Sequence, residues 1–230
     1  TFADPEKVNA WELGAKASFL FGTLQINGAV FDYDLENLQV QFVSLTTGGS
    51  VAFENAKAAK IRGLDLDVLW VIAPHLVDGL VLAGGVGWLE TAEYTEYPNA
   101  RGYTDNSGLA REGQNFSGNR IVKTPKISGN LTLAKSWNVD SGQIEIAGNM
   151  YYTDSFFNEP SNRELTVQPA YSLYGAHASY LYEQWDLRVS VFGQNLTDKY
   201  HTRGIQPTDF GDQQTIGTPR TYGMRLEWKF

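Results

Sequence analysis

The chain has 230 residues, with 18 Lys and Arg against 26 Asp and Glu, a formal net charge of −8, 12 Tyr, 12 Phe, 6 Trp, 23 Gly and no Cys. That balance disfavours a nucleic-acid partner, since neutralising phosphates needs clustered Lys and Arg. The lack of cysteine excludes a disulfide framework, a thiolate metal site and a cysteine nucleophile. His75, His177 and His201 are too scattered to suggest a shared metal site. No segment approaches the roughly 18 apolar residues of a membrane-spanning helix, and the longest apolar run, Leu80–Leu89, carries three glycines. The first residues show no apolar signal-peptide core and no initiator Met, so the sequence reads as a mature piece or an excised fragment.

Period-2 alternation dominates, and nine strands are expected at about 8–20, 23–43, 55–72, 79–96, 120–137, 142–158, 168–183, 185–200 and 219–230. In chain order, one face of these strands carries Trp11, Leu13, Ala15, Ala17 and Phe19; then Leu64, Leu66, Val68 and Trp70; then Ile144, Ile146, Gly148, Met150 and Tyr152. Later come Trp185, Leu187, Val189 and Val191, and finally Tyr222, Met224, Leu226, Trp228 and Phe230. The opposite face carries Glu12, Lys16, Asp65, Asp67, Glu145, Arg188, Arg225 and Glu227. Such strands separate an apolar medium from a polar one. A soluble barrel fills its interior with apolar side chains, so these charges call for a wet lumen.

The connections alternate too. Phe21-Gly22, Pro74–Asp78, Asn138–Ser141 and the point near Gln184 are tight, whereas Ser44–Glu54, Tyr97–Asn119, Glu159–Val167 and His201–Thr218 are long and polar. Short periplasmic turns and long extracellular loops are the pattern of an antiparallel transmembrane β-barrel, and most of the strands exceed the roughly 9–11 residues needed to cross. Aromatic residues near strand ends, including Trp11, Trp70, Trp88, Tyr94, Tyr97, Tyr151, Tyr180, Trp185 and Trp228, suit interfacial girdles. A closed bacterial barrel has an even strand number, whereas this count is odd. The expectation is an all-β wall segment, 1–230 forming about nine strands of a larger barrel that needs further strands to close.

One stretch, Val191-Phe192-Gly193-Gln194-Asn195-Leu196-Thr197-Asp198-Lys199-Tyr200, precedes Gly217-Thr218-Pro219-Arg220-Thr221-Tyr222-Gly223 and a terminal Phe230. Together they closely resemble the C-terminus of TonB-dependent outer-membrane receptors. Pro5–Lys16, with Trp11-Glu12-Leu13-Gly14-Ala15-Lys16, and Lys60-Ile61-Arg62-Gly63-Leu64-Asp65-Leu66-Asp67 are similar to two upstream strands of the family. The resemblance implies a 22-stranded barrel around an N-terminal plug in the bacterial outer membrane, importing scarce nutrients such as ferric siderophores. It implies as partners the outer-membrane lipid, the missing N-terminal strands and plug, the energy-coupling TonB complex acting through that missing part, and the barrel-assembly machinery. Tyr222, Leu226, Trp228 and Phe230 resemble the signal which that machinery reads.

Function should lie in the long loops. Tyr97, Arg101, Tyr103, Arg111, Phe116 and Arg120 in the fourth connection mix rings with guanidinium groups, a combination that can hold an anionic aromatic ligand. Phe156, Phe157 and Arg163 in the sixth, and Arg203, Asp209 and Phe210 in the eighth, add to them. The acid pairs Asp32/Asp34 and Asp65/Asp67 are each expected on the lumen face as solvated charges. Nothing orders a catalytic triad, a metal site or a cofactor loop, so no enzymatic role is expected. The leading reading is a nutrient receptor. Two others stay open: a diffusion porin or small structural barrel, and a soluble β-sheet carbohydrate-binding protein.

Overall fold

A computed structural model describes residues 3–43, 51–75, 77–103, 110–208 and 211–229. Four long strands come first: β1 (Lys7–Phe19), β2 (Leu24–Val43), β3 (Val51–Val71) and β4 (Leu80–Glu96). A short hairpin follows, β5 (Ala100–Gly102) with β6 (Arg111–Gln114), then β7 (Ile127–Val139) and β8 (Gly142–Thr153). The two-residue strands β9 (Phe156–Phe157) and β10 (Val167–Gln168) pair beyond β8, and β11 (Tyr171–Tyr182) and β12 (Leu187–Gln194) continue the wall. A second hairpin, β13 (Thr202–Thr208) with β14 (Gly211–Ile216), precedes β15 (Thr221–Trp228). The wall is one antiparallel sheet of nine strands in the order β1-β2-β3-β4-β7-β8-β11-β12-β15. It does not close: β1 and β15 each keep one edge without a partner among the described residues.

Register fixes the faces, because residues directly opposite in a sheet share a side. Leu13 faces Val30, Val30 faces Leu64, and Leu64 faces Trp88, which faces Ile127. The same side carries Leu131 and Met150, then Tyr174, and Val191 opposite Met224. This continuous apolar side holds Trp11, Leu13, Leu66, Leu131, Val191, Met224 and Trp228, all exposed. From Trp11 to Phe19, a rise of about 3.3 Å per residue at a tilt of roughly 40° spans about 20 Å of depth, close to the ~25 Å apolar band of a membrane barrel. Aromatic side chains bound the band: Trp11, Trp88 and Tyr222 toward the long loops, Trp70, Trp137, Tyr182 and Trp228 toward the short turns. Lys135 sits on the apolar side near a short turn; its ammonium donates to the Asp78 carbonyl and lies 5.1 Å from the Trp137 ring centre, reaching out of the band.

The other side is polar. Asp65 faces Ala29, Glu145 faces Ser179, and His177 lies 2.9 Å from the Glu145 carboxylate. Asp65 and Asp67 are therefore lumen groups, as expected. Asp32 and Asp34 are not. They face Trp11 and Asn9 across β1, and Arg62 and Lys60 across β3, on the outer side. Their parity is that of Leu24, Ile26 and Val30 in the same strand, so the outer stripe turns charged once it leaves the apolar band. Three expected girdle residues also move: Tyr94 and Tyr97 are buried, each only 1% exposed, while Tyr151 lies on the lumen side opposite Leu173.

Strand ends differ from the sequence expectation for local reasons. The strand expected at 120–137 begins only at Ile127, since Pro125 has no N–H for a central ladder and Lys123 is left-handed at φ 56°. The strand expected at 142–158 stops at Thr153, where the Asp154 N–H donates to the Ile127 carbonyl and Phe156–Phe157 turns away to pair with β10. The strand expected at 185–200 ends at Gln194, because Asn195 and Asp198 adopt φ of 47° and 52°. Asn195 holds that turn: its Nδ2 donates to the Lys199 and Thr218 carbonyls at 3.0 and 3.1 Å, and its Oδ1 accepts the Lys199 N–H at 2.8 Å. Asp198 accepts the Arg220 N–H at 2.9 Å. The Asn195–Tyr200 motif thus fastens the base of the last long loop to the start of β15. Glu54, expected in the second connection, lies within β3, whose register with β2 continues to the Val43–Val51 pair.

Candidate ligand-binding site

At the long-loop end, β2, β3 and β4 run past the apolar band and need cover. The fourth connection supplies it. The Tyr94 N–H donates to the Asn119 carbonyl and the Phe116 N–H to the Tyr97 carbonyl, both at 2.9 Å, so the returning chain lies along the top of β4. This folds Tyr97, Ala100, Phe116 and Ile121 onto Val40, Ala56, Ala59 and Tyr94 in a buried cluster. Tyr97 meets Phe116 edge-on with ring centres 5.6 Å apart. Each ring buried contributes about 1.5–3 kcal/mol. The Tyr97 hydroxyl donates to Glu54 Oε1 at 2.5 Å, and the Arg101 N–H donates to the same oxygen at 3.0 Å. Burial and this carboxylate hold the Tyr97 phenol well above its ordinary pKa.

Arg163 ties three connections together. Its Nε pairs with Glu159, its Nη2 lies 2.9 Å from Asp212 Oδ1, and its guanidinium carbon lies 5.3 Å from the Tyr103 ring centre. Arg163 and Glu159 side chains are each only 5% exposed. Burial pushes the Glu159 carboxyl up, and the Arg163 guanidinium opposes that by stabilising its anion. Neighbouring bonds repeat the cross-linking. Asn162 accepts the Arg120 N–H at 2.7 Å and donates to the Arg120 carbonyl at 3.0 Å. Gln168 Oε1 accepts the Thr202 N–H at 2.8 Å and the Thr202 hydroxyl at 2.5 Å.

Between these fastened loops lies a cavity of about 580 Å³, within the usual ~300–1,000 Å³ of small-molecule sites. Arg101, Lys123 and Arg203 bring three cations to its lining, beside Tyr94, Tyr103, Gln39, Gln41, Gln206 and Glu159. Among the described residues the one carboxylate in the lining, Glu159, is engaged by Arg163, and Arg101 is paired with Glu112 outside it. Arg203 also donates to Thr218 Oγ1 at 3.2 Å. Two guanidinium groups and an ammonium around a ring-bearing wall suit a ligand rich in anionic oxygens.

Arg101, Tyr103 and Arg203, expected from the sequence, are brought together here. Tyr97 and Phe116 lie beneath, in the buried cluster. Arg163 stands behind the wall, Arg120 Nε is spent on the Thr124 carbonyl at 2.6 Å, Phe157 pairs with Val167 in β9–β10, and Arg111 lies on exposed β6. Asp209 and Phe210 fall outside the described residues, as does Phe230; Tyr222, Leu226 and Trp228 point outward from β15. Lys123 was not expected, because it fell inside an expected strand, and Pro125 is the sequence signal that could have placed it in a loop.

Residues 2–196 match the family model described as TonB-dependent receptor-like β-barrel. The chain is 26% identical over 202 residues to a probable TonB-dependent siderophore receptor, PiuA, of Acinetobacter baumannii, covering 87% of this chain and 24% of that protein. The fold matches the ferric yersiniabactin uptake receptor FyuA of Yersinia pestis with a TM-score of 0.73 at 15% identity, covering 96% of this chain and 29% of FyuA. It matches the crystal structure of PiuA with a TM-score of 0.72 at 21% identity, covering 99% and 29%. The ferric citrate transporter FecA gives 0.69 at 21% identity, covering 98% and 32%. The chain spans about a quarter of the length of that curated relative. The family match displaces the porin and soluble carbohydrate-binding readings. The chain belongs to the TonB-dependent receptors, and its nine strands are wall of an outer-membrane β-barrel.

Proposed function

We propose that this chain is the C-terminal wall and ligand-binding loop region of an outer-membrane active-transport receptor for a scarce nutrient, a ferric siderophore or similar, with no enzymatic step. The observation that carries the reading is the cavity where Arg101, Lys123 and Arg203 converge beside Tyr94 and Tyr103. The similarity to receptors named for siderophores and ferric ligands supports it. Transport belongs to the whole protein. Further N-terminal strands pair with the open edges of β1 and β15, since unpaired backbone groups in lipid cost several kcal/mol each. They complete a 22-stranded barrel around a plug, and the TonB complex acts through that plug.

The test is uptake by cells carrying the complete gene or a deletion of it, supplied with iron-55 bound to catecholate, hydroxamate or carboxylate chelators. Uptake of one class that is lost on deletion, and lost again when the inner membrane is de-energised, supports the reading. Equal uptake in both strains for every class, or uptake indifferent to de-energisation, contradicts it.

A further inference from the structure

Of the three cations lining the loop-end cavity, Arg101 is spent on Glu112. Lys123 and Arg203 are exposed, and among the described residues neither forms an ion pair; Arg203 reaches only the Thr218 hydroxyl. Irregular backbone places both. Lys123 is left-handed at φ 56°, and its N–H donates to the Phe157 carbonyl at 2.9 Å. Such a conformation in a residue other than glycine persists where the surroundings hold it, often at ligand clamps. Arg203 is the extra residue where the β13–β14 register slips between Thr202 and Gly204, and a bulge of this kind re-aims a side chain. Lys123 Nζ lies beside the next residue, 3.8 Å from where a Cβ of Gly204 would stand.

Register sets Gln206 opposite Gln213 and Gly204 opposite Thr215, so this face of the hairpin turns to the cavity. The other face holds Ile205, which is buried, and Asp212, which Arg163 takes. Val122, Pro160 and Pro207 add aliphatic surface. Among the described residues no ring face opens on the cavity: Tyr94 is buried, and Tyr103, 4% exposed, already carries the Arg163 guanidinium. The aromatic ligand that the rings and guanidinium groups suggest in the sequence therefore finds cations here but nothing to stack on. A tris-catecholate also spends its anionic oxygens on the iron, and a tris-hydroxamate brings no peripheral anion. A carboxylate arm presents two oxygens in the spacing of a guanidinium fork, and its methylene groups suit an aliphatic lining. We propose that the imported nutrient is an iron chelate with aliphatic carboxylate arms. One arm is held between Lys123 and Arg203, and Gln206 and Gln213 donate to further oxygens. This narrows the receptor reading given above and rests on it.

The test is equilibrium dialysis of the complete receptor, purified in detergent, against iron-55 complexes of citrate, of a synthetic tris-catecholamide and of the tris-hydroxamate desferrioxamine B. The citrate complex is expected to bind at least tenfold more tightly than either of the others. K123Q/R203Q should weaken the citrate complex at least tenfold and the other two less than threefold, so that the preference collapses; damage to the fold would move all three together. Heat-modifiable gel mobility shows whether the variant is assembled, and if it is not, the ranking in the wild type decides. A catecholamide or hydroxamate complex bound as tightly as the citrate complex would overturn the inference and leave the receptor reading standing. So would an undiminished preference for citrate in assembled K123Q/R203Q. Binding of none of the three by the assembled wild type overturns it as well, and the uptake experiment above then shows whether the receptor reading falls with it.

Discussion

The Phe192 ring lies over Gly223, its register partner across β12 and β15. The adjacent pair repeats the arrangement on the opposite side of the sheet: a Cβ at Gly193 would stand 3.0 Å from the Tyr222 ring and 2.6 Å from Leu196. One ring covers a glycine on the lumen side and another covers a glycine on the lipid side, pinning the register of the last strand.

Substituting Gly223 by Ala puts a methyl group where the tip of the Phe192 ring lies. The ring must rotate away, at a cost of about 1–3 kcal/mol. Denaturant unfolding of the complete protein in detergent should show this loss, and the double variant F192A/G223A should show no further penalty from the alanine. A G223A protein as stable as wild type would mean that the ring does not fill this site.

Removing Arg163 should loosen loops that are far apart in sequence. R163A leaves the Glu159 carboxylate buried without its cation, at a cost of about 3–5 kcal/mol confined to this assembly. Limited proteolysis should then cut near both Glu159 and Asp212, while the transmembrane strands stay protected. Asp212→Ala removes only the tether to the β13–β14 hairpin and should expose that hairpin alone. Identical proteolysis of R163A and wild type would contradict the role of the residue as a hub.

The Tyr97 phenol carries a pH prediction. Its pKa is raised by burial first and by the Glu54 hydrogen bond second. The folded state therefore favours the neutral phenol, whereas an unfolded tyrosine ionises near about 10. The stability contribution is complete below that value and falls as pH rises beyond it. In ultraviolet titration of the complete protein, Y97F should show the same tyrosinate amplitude as wild type at pH 11. Loss of one tyrosine of amplitude near pH 10 would place the phenol in solvent.

The two faces of β3 should respond oppositely to charge. Leu66→Arg places a guanidinium in the middle of the lipid-facing stripe and should destabilise the assembled barrel by about 2–4 kcal/mol. Asp67→Arg, one residue on, faces the lumen opposite Asn27 and Gly85 and should be tolerated. The heat-modifiable fraction after refolding into liposomes measures both. Equal damage from the two would sink the assignment of faces.

Much of the wall is legible in alternation alone, because a membrane strand has one face in lipid and each residue advances the face by a fixed step. Leu64 and Asp65, adjacent in sequence, go to opposite sides for that reason. The same parity places Asp32 on the side of Val30, outside the barrel; its charge suggests lumen only if depth is ignored. Tyr97, Phe116 and Arg163 are another matter. Their partners Glu54, Val40 and Asp212 come from β3, β2 and the eighth connection, and only tertiary packing turns these candidate ligand contacts into a buried floor and a clasp. Lys123 is the counterexample within the loops, since Pro125 two residues on marks the strand break that frees it.

The direct test of the account is equilibrium binding of the ferric chelator identified by uptake to the complete protein, read by quenching of intrinsic tryptophan fluorescence. The triple variant R101A/K123A/R203A should bind at least 100-fold more weakly, about 2.7 kcal/mol, while remaining heat-modifiable. R111A, outside the cavity, should bind as wild type. Unaltered affinity in the triple variant, or equal losses in R111A, would contradict the cavity as the ligand site.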